Sequence, residues 1–205
     1  MKYFFLGITL VLFTACQYNS AVTALPILGN HDIDPDTGDT TLHQIPDFAF
    51  YNQDSVLITN NTFQQQIYVA DFFFTSCPTI CPKVKKQMQR LYKKYQGNQQ
   101  FSLVSYTIDP KRDTPTKLKT YAANLDVTSD KWHFLSGNQD SIYQLAEGYL
   151  SIAKEDPNAP GGFDHSGWLL LIDENRHIRS FCDGTKEEAV DQFIKDIDWL
   201  LAQER

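Results

Sequence analysis

The chain of 205 residues contains little cysteine, proline and glycine, with four, nine and ten of them. Four cysteines are too few for a small domain built on disulfides, and the proline and glycine content is too low for a disordered or fibrous protein. Basic residues are also scarce, because 18 lysines and arginines stand against 25 acidic residues, a formal charge of −7. A nucleic-acid-binding domain usually has a basic face. We therefore expect one compact domain with no nucleic acid partner.

The N-terminus has the pattern of an export signal. An initial Met-Lys precedes an apolar run over residues 3–13, which is shorter than the roughly 18 residues that span a bilayer. Small residues and Cys16 follow, as in a bacterial lipoprotein signal, in which a lipid is attached to the cysteine after cleavage. We predict a signal peptide over residues 1–15 and an exported protein, lipid-anchored to a bacterial membrane with its domain on the periplasmic or extracytoplasmic side. The alternative is an ordinary signal cleaved near Ala15 or Ala21.

The rest of the chain divides into a tether and a folded domain. Residues 16–44 lack apolar periodicity and carry proline and glycine among polar residues, which predicts a membrane tether. Residues 45–205 alternate between strand and helix patterns. Strands are predicted over 56–59, 67–74, 101–108, 132–135, 168–172 and 177–182, and helices from Cys81 and over 115–125, 141–150 and 186–202. This order predicts an α/β sandwich in which helices flank a mixed sheet.

Two cysteines and a histidine are the candidate reactive residues. Cys77 and Cys81 lie where a buried strand gives way to a helix, and the free amides of a helix start favour thiolates. Such a pair can form a reversible disulfide or bind a soft metal ion, Cu(I) or Zn(II), with an imidazole as a third ligand. His165 lies on a glycine-rich loop that leaves room for an approach to the cysteines. Hydrogen bonding is the alternative role for His165.

Three segments together resemble the Sco/SenC family of membrane-tethered, thioredoxin-like copper proteins, which assist assembly of the CuA centre of cytochrome c oxidase. The resemblance covers about residues 45–201. The segments are Phe72-Phe-Phe-Thr-Ser-Cys-Pro-Thr-Ile-Cys-Pro, Tyr106-Thr-Ile-Asp-Pro-Lys-Arg-Asp-Thr-Pro and Asp164-His-Ser. The resemblance implies a thioredoxin-like sandwich with an added N-terminal β-hairpin.

The resemblance also implies site residues and a function. Cys77, Cys81 and His165 match the family's copper ligands, for Cu(I) or Cu(II), and Asp109 matches an aspartate near the metal, although Asp109-Pro is also a turn signal. We expect a metallochaperone that delivers copper to the CuA-bearing oxidase subunit and is not a turnover enzyme. Other copper chaperones or thiol oxidoreductases are further expected partners. The alternative is a membrane-tethered thiol-disulfide oxidoreductase that uses Cys77 and Cys81 to keep target cysteines reduced. Cys182 is expected to be a packed thiol.

Overall fold

The computed structural model describes residues 24–203, so the predicted signal peptide and Cys16 lie outside the described residues. Within residues 24–203 no helix combines the length and the apolar character needed to cross a bilayer. The helices of this part of the chain are α1 (Cys81–Tyr95), α2 (Pro115–Asn124), α3 (Gln139–Gly148) and α4 (Glu187–Gln203). The strands are β1 (Asp32–Ile33), β2 (Thr40–Thr41), β3 (Ala49–Tyr51), β4 (Leu57–Thr59), β5 (Ile67–Phe73), β6 (Phe101–Thr107), β7 (Trp132–Leu135), β8 (Ala153–Glu155), β9 (Phe163–His165), β10 (Trp168–Ile172) and β11 (Ile178–Asp183).

A five-stranded mixed sheet forms the centre of the molecule, with strand order β11-β10-β5-β6-β7. β5 pairs in parallel with β6 and antiparallel with β10, and every residue of β5 is buried. The run over residues 67–74, apolar on both faces, is therefore the middle strand, as its pattern predicted. Helix α4 packs on β11 and on α1, and α1 packs on β6. The structure confirms the thioredoxin-like α/β sandwich.

The predicted N-terminal hairpin is also present. β3 and β4 pair antiparallel, with Phe50 opposite Ile58. Phe48 and Phe50 are buried and pack edge-on against the ring of Tyr106 in β6. A backbone bridge from Tyr51 to Ser136 places the hairpin beside β7, at one edge of the sheet.

Residues 24–44 are attached to the domain more firmly than a tether prediction implies. Leu25 is buried, and the amide of Leu28 donates to the carbonyl of Ile178 in β11 over 2.8 Å. Arg179 donates to the carbonyl oxygens of Leu25 and Pro26. The edge strand β11 has unpaired backbone groups, which this segment satisfies in part. The sequence pattern missed the attachment because it rests on hydrogen bonds to backbone carbonyls, some of them from the Arg179 side chain, and on one buried apolar side chain.

Candidate metal centre

The turn between β5 and α1 holds the two cysteines at the end of the central strand. The amide of Cys77 donates to the carbonyl of Phe74 over 3.2 Å, which closes the turn. Helix α1 begins at Cys81, as predicted, with Pro82 in the first turn, where a missing N–H costs nothing. Cys77 therefore precedes the helix and Cys81 opens it, and both are buried.

His165 reaches the cysteines from a short two-stranded ribbon, β8 and β9, which the sequence did not predict. His165 is the last residue of β9 and lies opposite Ala153 of β8, so its expected place on a loop is wrong. The ring of Phe74, next to the cysteine turn, packs edge-on against the imidazole at 5.3 Å between centroids. Gly161 lies against the same ring, because a Cβ there would stand 2.8 Å from Phe74, and its φ of +82° also favours glycine.

The three candidate ligand atoms converge. The Nε2 atom of His165 is 3.2 Å from the Sγ of Cys81 and 3.8 Å from the Sγ of Cys77, and all three atoms lie within 4.8 Å of one another. Ions bound about 2.0 to 2.3 Å from sulfur and nitrogen separate such ligands by about 3.5 to 4 Å. Neither cysteine is in a disulfide. This donor set of two sulfurs and one imidazole nitrogen fits a soft or borderline metal ion.

The pKa values of the two thiols shift in opposite directions. The pKa of Cys77 is lowered to about 4, first by the hydrogen bond from the Cys81 thiol and then by the backbone amides of Thr79 and Cys81. The pKa of Cys81 is raised, because it donates that proton to Cys77 and because it is buried. The pKa of Cys77 is thus lowered mainly by the other cysteine, whereas Cys81, which opens the helix, does not have the lowered pKa that the helix start predicted. A metal that binds both sulfurs must displace the proton of Cys81.

Asp109 contacts Thr107 and Arg112. Its buried carboxylate accepts from the Nε of Arg112, and the Arg112 guanidinium lies 5.4 Å from the ring centroid of Phe163. Phe163 opens β9, the strand that carries His165. Asp109 is thus connected to His165 through Arg112 and Phe163.

Two buried polar groups near the site were not identified from the sequence as functional. Asp113 is fully buried and accepts from the backbone and hydroxyl of Thr75 over 2.9 and 2.5 Å, and from the Thr107 hydroxyl over 2.6 Å. It thereby fastens the start of the cysteine turn to the end of β6. Lys85, one helical turn after Cys81, pairs with Asp71 in the core. Because Lys85 is one of several lysines in this helix, composition does not single it out. Only its position one helical turn after Cys81, on the buried face, could have indicated that it is buried.

The remaining cysteine of the described residues, Cys182, lies opposite Leu169 in the hairpin formed by β10 and β11. It is buried, and burial raises its thiol pKa to about 12. A protonated, enclosed thiol is unreactive. This environment agrees with the packed thiol expected from the sequence.

Comparisons with known proteins point to one family. The family model described as SCO1/SenC matches residues 36–202. A SCO1/SenC family lipoprotein from Bacillus anthracis is similar in structure, with a TM-score of 0.70 and 26% identity over 77% of this chain and 95% of that one. BsSco is described as a member of the Sco family of cytochrome c oxidase assembly proteins with a disulfide switch. It matches with a TM-score of 0.67 and 29% identity over 76% of this chain and 92% of that one. Copper-bound ScoI from Arabidopsis thaliana shares the fold, with a TM-score of 0.63 and 22% identity over 75% and 98%.

Proposed function

This chain belongs to the SCO1/SenC family, and on that premise we propose that it is a copper metallochaperone that delivers copper to the CuA site during assembly of cytochrome c oxidase. The observation that carries the proposal is the convergence of Cys77, Cys81 and His165 within 4.8 Å. Two thiolates suit Cu(I), and the imidazole extends the set toward Cu(II). ScoI, BsSco and the Bacillus protein supply the related precedents of copper binding, oxidase assembly and a lipoprotein.

The different exposure of the three ligands would allow copper to leave by ligand exchange. Both cysteines are buried, whereas His165 is only half-buried at the end of its ribbon. A partner's incoming ligand would therefore replace the imidazole first and the sulfurs afterwards. Asp109, through Arg112 and Phe163, would act as a positioning residue for His165. The partner that accepts the copper would be the CuA-bearing oxidase subunit, and other copper chaperones or thiol oxidoreductases would load copper into the site or reduce its cysteines.

A second function, thiol-disulfide exchange, is favoured by the unequal thiols. The hydrogen bond from Cys81 makes Cys77 the better nucleophile at neutral pH. The Cys77 thiolate would attack a target disulfide and form a mixed disulfide, and Cys81 would then displace the target as a dithiol. The chain would be left with a Cys77–Cys81 disulfide, which a dithiol reductant must reduce before the next cycle.

The proposed location rests on Cys16. A lipid on its thiol after removal of residues 1–15 would hold the domain on the outer side of a bacterial membrane. The mature N-terminus can be read by mass spectrometry of protein extracted from membranes. An acylated Cys16 supports the anchor, whereas an unmodified terminus that begins downstream contradicts it.

A copper titration tests the leading proposal. The reduced protein should bind one Cu(I) against a competing chelator, and Cys77→Ser or Cys81→Ser should lose that binding. Cys182→Ser is the matched control, because Cys182 is also a buried thiol but lies in the hairpin formed by β10 and β11. It should bind copper like the unmodified chain. Absence of stoichiometric binding, or equal binding by all variants, would overturn the copper site.

His165 discriminates between the two functions. His165→Ala removes one metal ligand but neither sulfur, so it should retain some Cu(I), lose most Cu(II) and still form the Cys77–Cys81 disulfide. Cells that carry His165→Ala and cells that carry Cys77→Ser should both assemble little active oxidase if copper delivery is the function. Normal oxidase activity with His165→Ala, but not with Cys77→Ser, would replace delivery by thiol-disulfide exchange.

A further inference from the structure

An apolar groove opens on the outer face of the hairpin formed by β10 and β11. Ser180 in β11 donates to Asp196 of α4. Because successive side chains of a strand point to opposite faces, the next residue, Phe181, faces away from that helix. Phe181 lies opposite Leu170, and its ring meets that of Trp168 edge-on at 5.0 Å. The apolar groove has a volume of about 210 Å³ and is lined by Leu28, Leu150, Trp168, Leu170, Ile178 and Phe181.

Several side chains of the apolar groove face water. Phe181, Leu150 and Trp168 are 51%, 46% and 38% exposed, and the neighbouring Ile152 is 52% exposed. Leu150 follows Tyr149, the C-terminal cap of helix α3, and has a φ of +53°, at a position where glycine is the usual residue. A leucine at a positive φ is conformationally strained, and this one also exposes its apolar side chain to solvent. Clustered exposed apolar side chains mark an interaction surface.

The path of the chain indicates what covers the apolar groove. The first described residues, 24–28, run along β11, where Arg179 holds the carbonyls of Leu25 and Pro26, and Leu28 itself lines the groove. Cys16 lies only eight residues before Ala24. Eight residues extend no further than about 29 Å, whatever their conformation. A lipid on Cys16 would therefore keep this edge of the domain close to the bilayer.

We propose that the apolar groove rests on the membrane surface, with Trp168, Phe181 and Leu150 inserted at the headgroup level. This inference rests on the lipid anchor at Cys16 proposed above. Tryptophan, phenylalanine and leucine are the side chains that favour the membrane interface. Because the lipid anchor already keeps the domain at the membrane, insertion of these side chains is an intramolecular step. A contact that is too weak to recruit a free protein can therefore form in the anchored one. His165 precedes Trp168 by three residues, so the metal centre would lie next to the membrane surface.

Quenching by brominated lipids tests the contact in the full-length protein. The protein extracted from membranes is reconstituted in vesicles of equal parts phosphatidylcholine and phosphatidylglycerol, with and without bromine on the acyl chains. The chain has three tryptophans, of which Trp132 is fully buried and Trp199 is partly buried. The difference in tryptophan emission between the unmodified protein and Trp168→Tyr is the emission of Trp168. We expect bromine to reduce that emission at least twofold and to leave the emission of Trp168→Tyr unchanged.

A relocated tryptophan provides the matched control. Leu57 is 50% exposed and lies in the hairpin beside β7, the opposite edge of the sheet from β11. Leu57→Trp in the Trp168→Tyr background should show no quenching. Equal quenching at positions 57 and 168 would mean that the domain has no preferred face toward the membrane, which overturns the proposal.

Vesicle flotation separates failure of the anchor from failure of the groove. Protein that floats with the vesicles but shows no quenching of Trp168 retains its anchor and refutes the membrane contact. In that case cross-linking through the groove would identify a second copy or another protein as the occupant. Protein that does not float refutes the anchor at Cys16, and the membrane contact falls with it.

Discussion

At the scale of single residues, Asp71 and Lys85 form an ion pair in the core, one helical turn from Cys81 of the proposed metal centre. The two residues are 1% and 3% exposed, and the Lys85 Nζ is 2.6 Å from the Asp71 carboxylate and 2.8 Å from the Ser105 hydroxyl. The same ammonium lies 4.1 Å from the ring centroid of Phe73. A buried charge is tolerated only with a partner and satisfied hydrogen bonds.

Replacing Lys85 should show how much stability depends on this buried ion pair. Lys85→Met leaves the Asp71 carboxylate buried with a hydrogen bond from the Ser105 hydroxyl but without its cation, and loss of one partner of a buried pair costs about 3 to 5 kcal/mol. Lys86→Met is the matched control, because Lys86 is exposed on the same helix and should change the free energy of unfolding by less than about 0.5 kcal/mol. Urea unfolding followed by circular dichroism measures both. Equal losses in the two variants would contradict a specific role for the pair.

The lowered pKa of His133 should make the stability of the fold depend on pH. Burial lowers its pKa to about 4 from 6.5, with a small opposing effect from Asp130. The unfolded chain therefore binds this proton more readily between pH 6.5 and 4, so the stabilising effect is complete above 6.5 and is lost as pH falls toward 4. The loss amounts to about 3 kcal/mol. His133→Asn should flatten that part of the stability curve in urea titrations at stepped pH, and an unchanged slope would refute the assignment.

At the scale of secondary structure, the ribbon of β8 and β9 decides whether His165 meets the cysteines. Gly161 lets the chain pass against Phe74 just before the ribbon returns through Phe163. The elements around the site are thus joined by ring contacts between the cysteine turn and β9. Any side chain added at Gly161 must push Phe74 or the ribbon away.

Two adjacent glycines separate this collision from backbone strain. Gly161→Ala and Gly162→Ala both place alanine at positive φ, but a Cβ at Gly162 meets nothing within 4 Å. The positive φ alone should cost Gly162→Ala about 1 to 2 kcal/mol of stability, and the collision with Phe74 should make the loss in Gly161→Ala larger. Gly161→Ala should also weaken Cu(II) binding about tenfold, equal to about 1.4 kcal/mol, because His165 is displaced. Equal Cu(II) affinities in a competition assay would show that the ribbon does not set the imidazole position.

The elements that the sequence predicted well are those with long periodic patterns. Helix α1 and strand β5 have many apolar positions in phase, and α1 begins at the cysteine where proline marks its first turn. Helix α3 begins at Gln139 instead of residue 141 because the Asn138 side chain caps it by accepting from the Ser141 amide. The ribbon has only three residues a strand, too few for a period. The approach of His165 therefore depends on tertiary pairing that no local pattern contains.

At the scale of the whole molecule, the proposed metal centre joins distant parts of the chain. Cys81 and His165 are 84 positions apart in sequence, and they belong to α1 and to the ribbon. A disulfide between Cys77 and Cys81 would stay within one turn and leave the ribbon untouched. Copper held by all three ligands would connect the ribbon to the central sheet. The oxidised and the copper-loaded proteins should therefore differ in the stability of the ribbon.

Copper loading should raise the melting temperature and protect the ribbon. At a hundredfold excess over the dissociation constant, ligand binding contributes about 2.7 kcal/mol, which corresponds to about 5 to 10 °C in a chain of this size. Hydrogen exchange of the β8 and β9 amides should slow in the copper-loaded protein and remain unchanged in the disulfide form. His165→Ala should keep part of the thermal shift through the two sulfurs but lose the protection of the ribbon. Protection that persists in His165→Ala would mean that copper stabilises the ribbon without the imidazole, and the three-ligand site would be wrong.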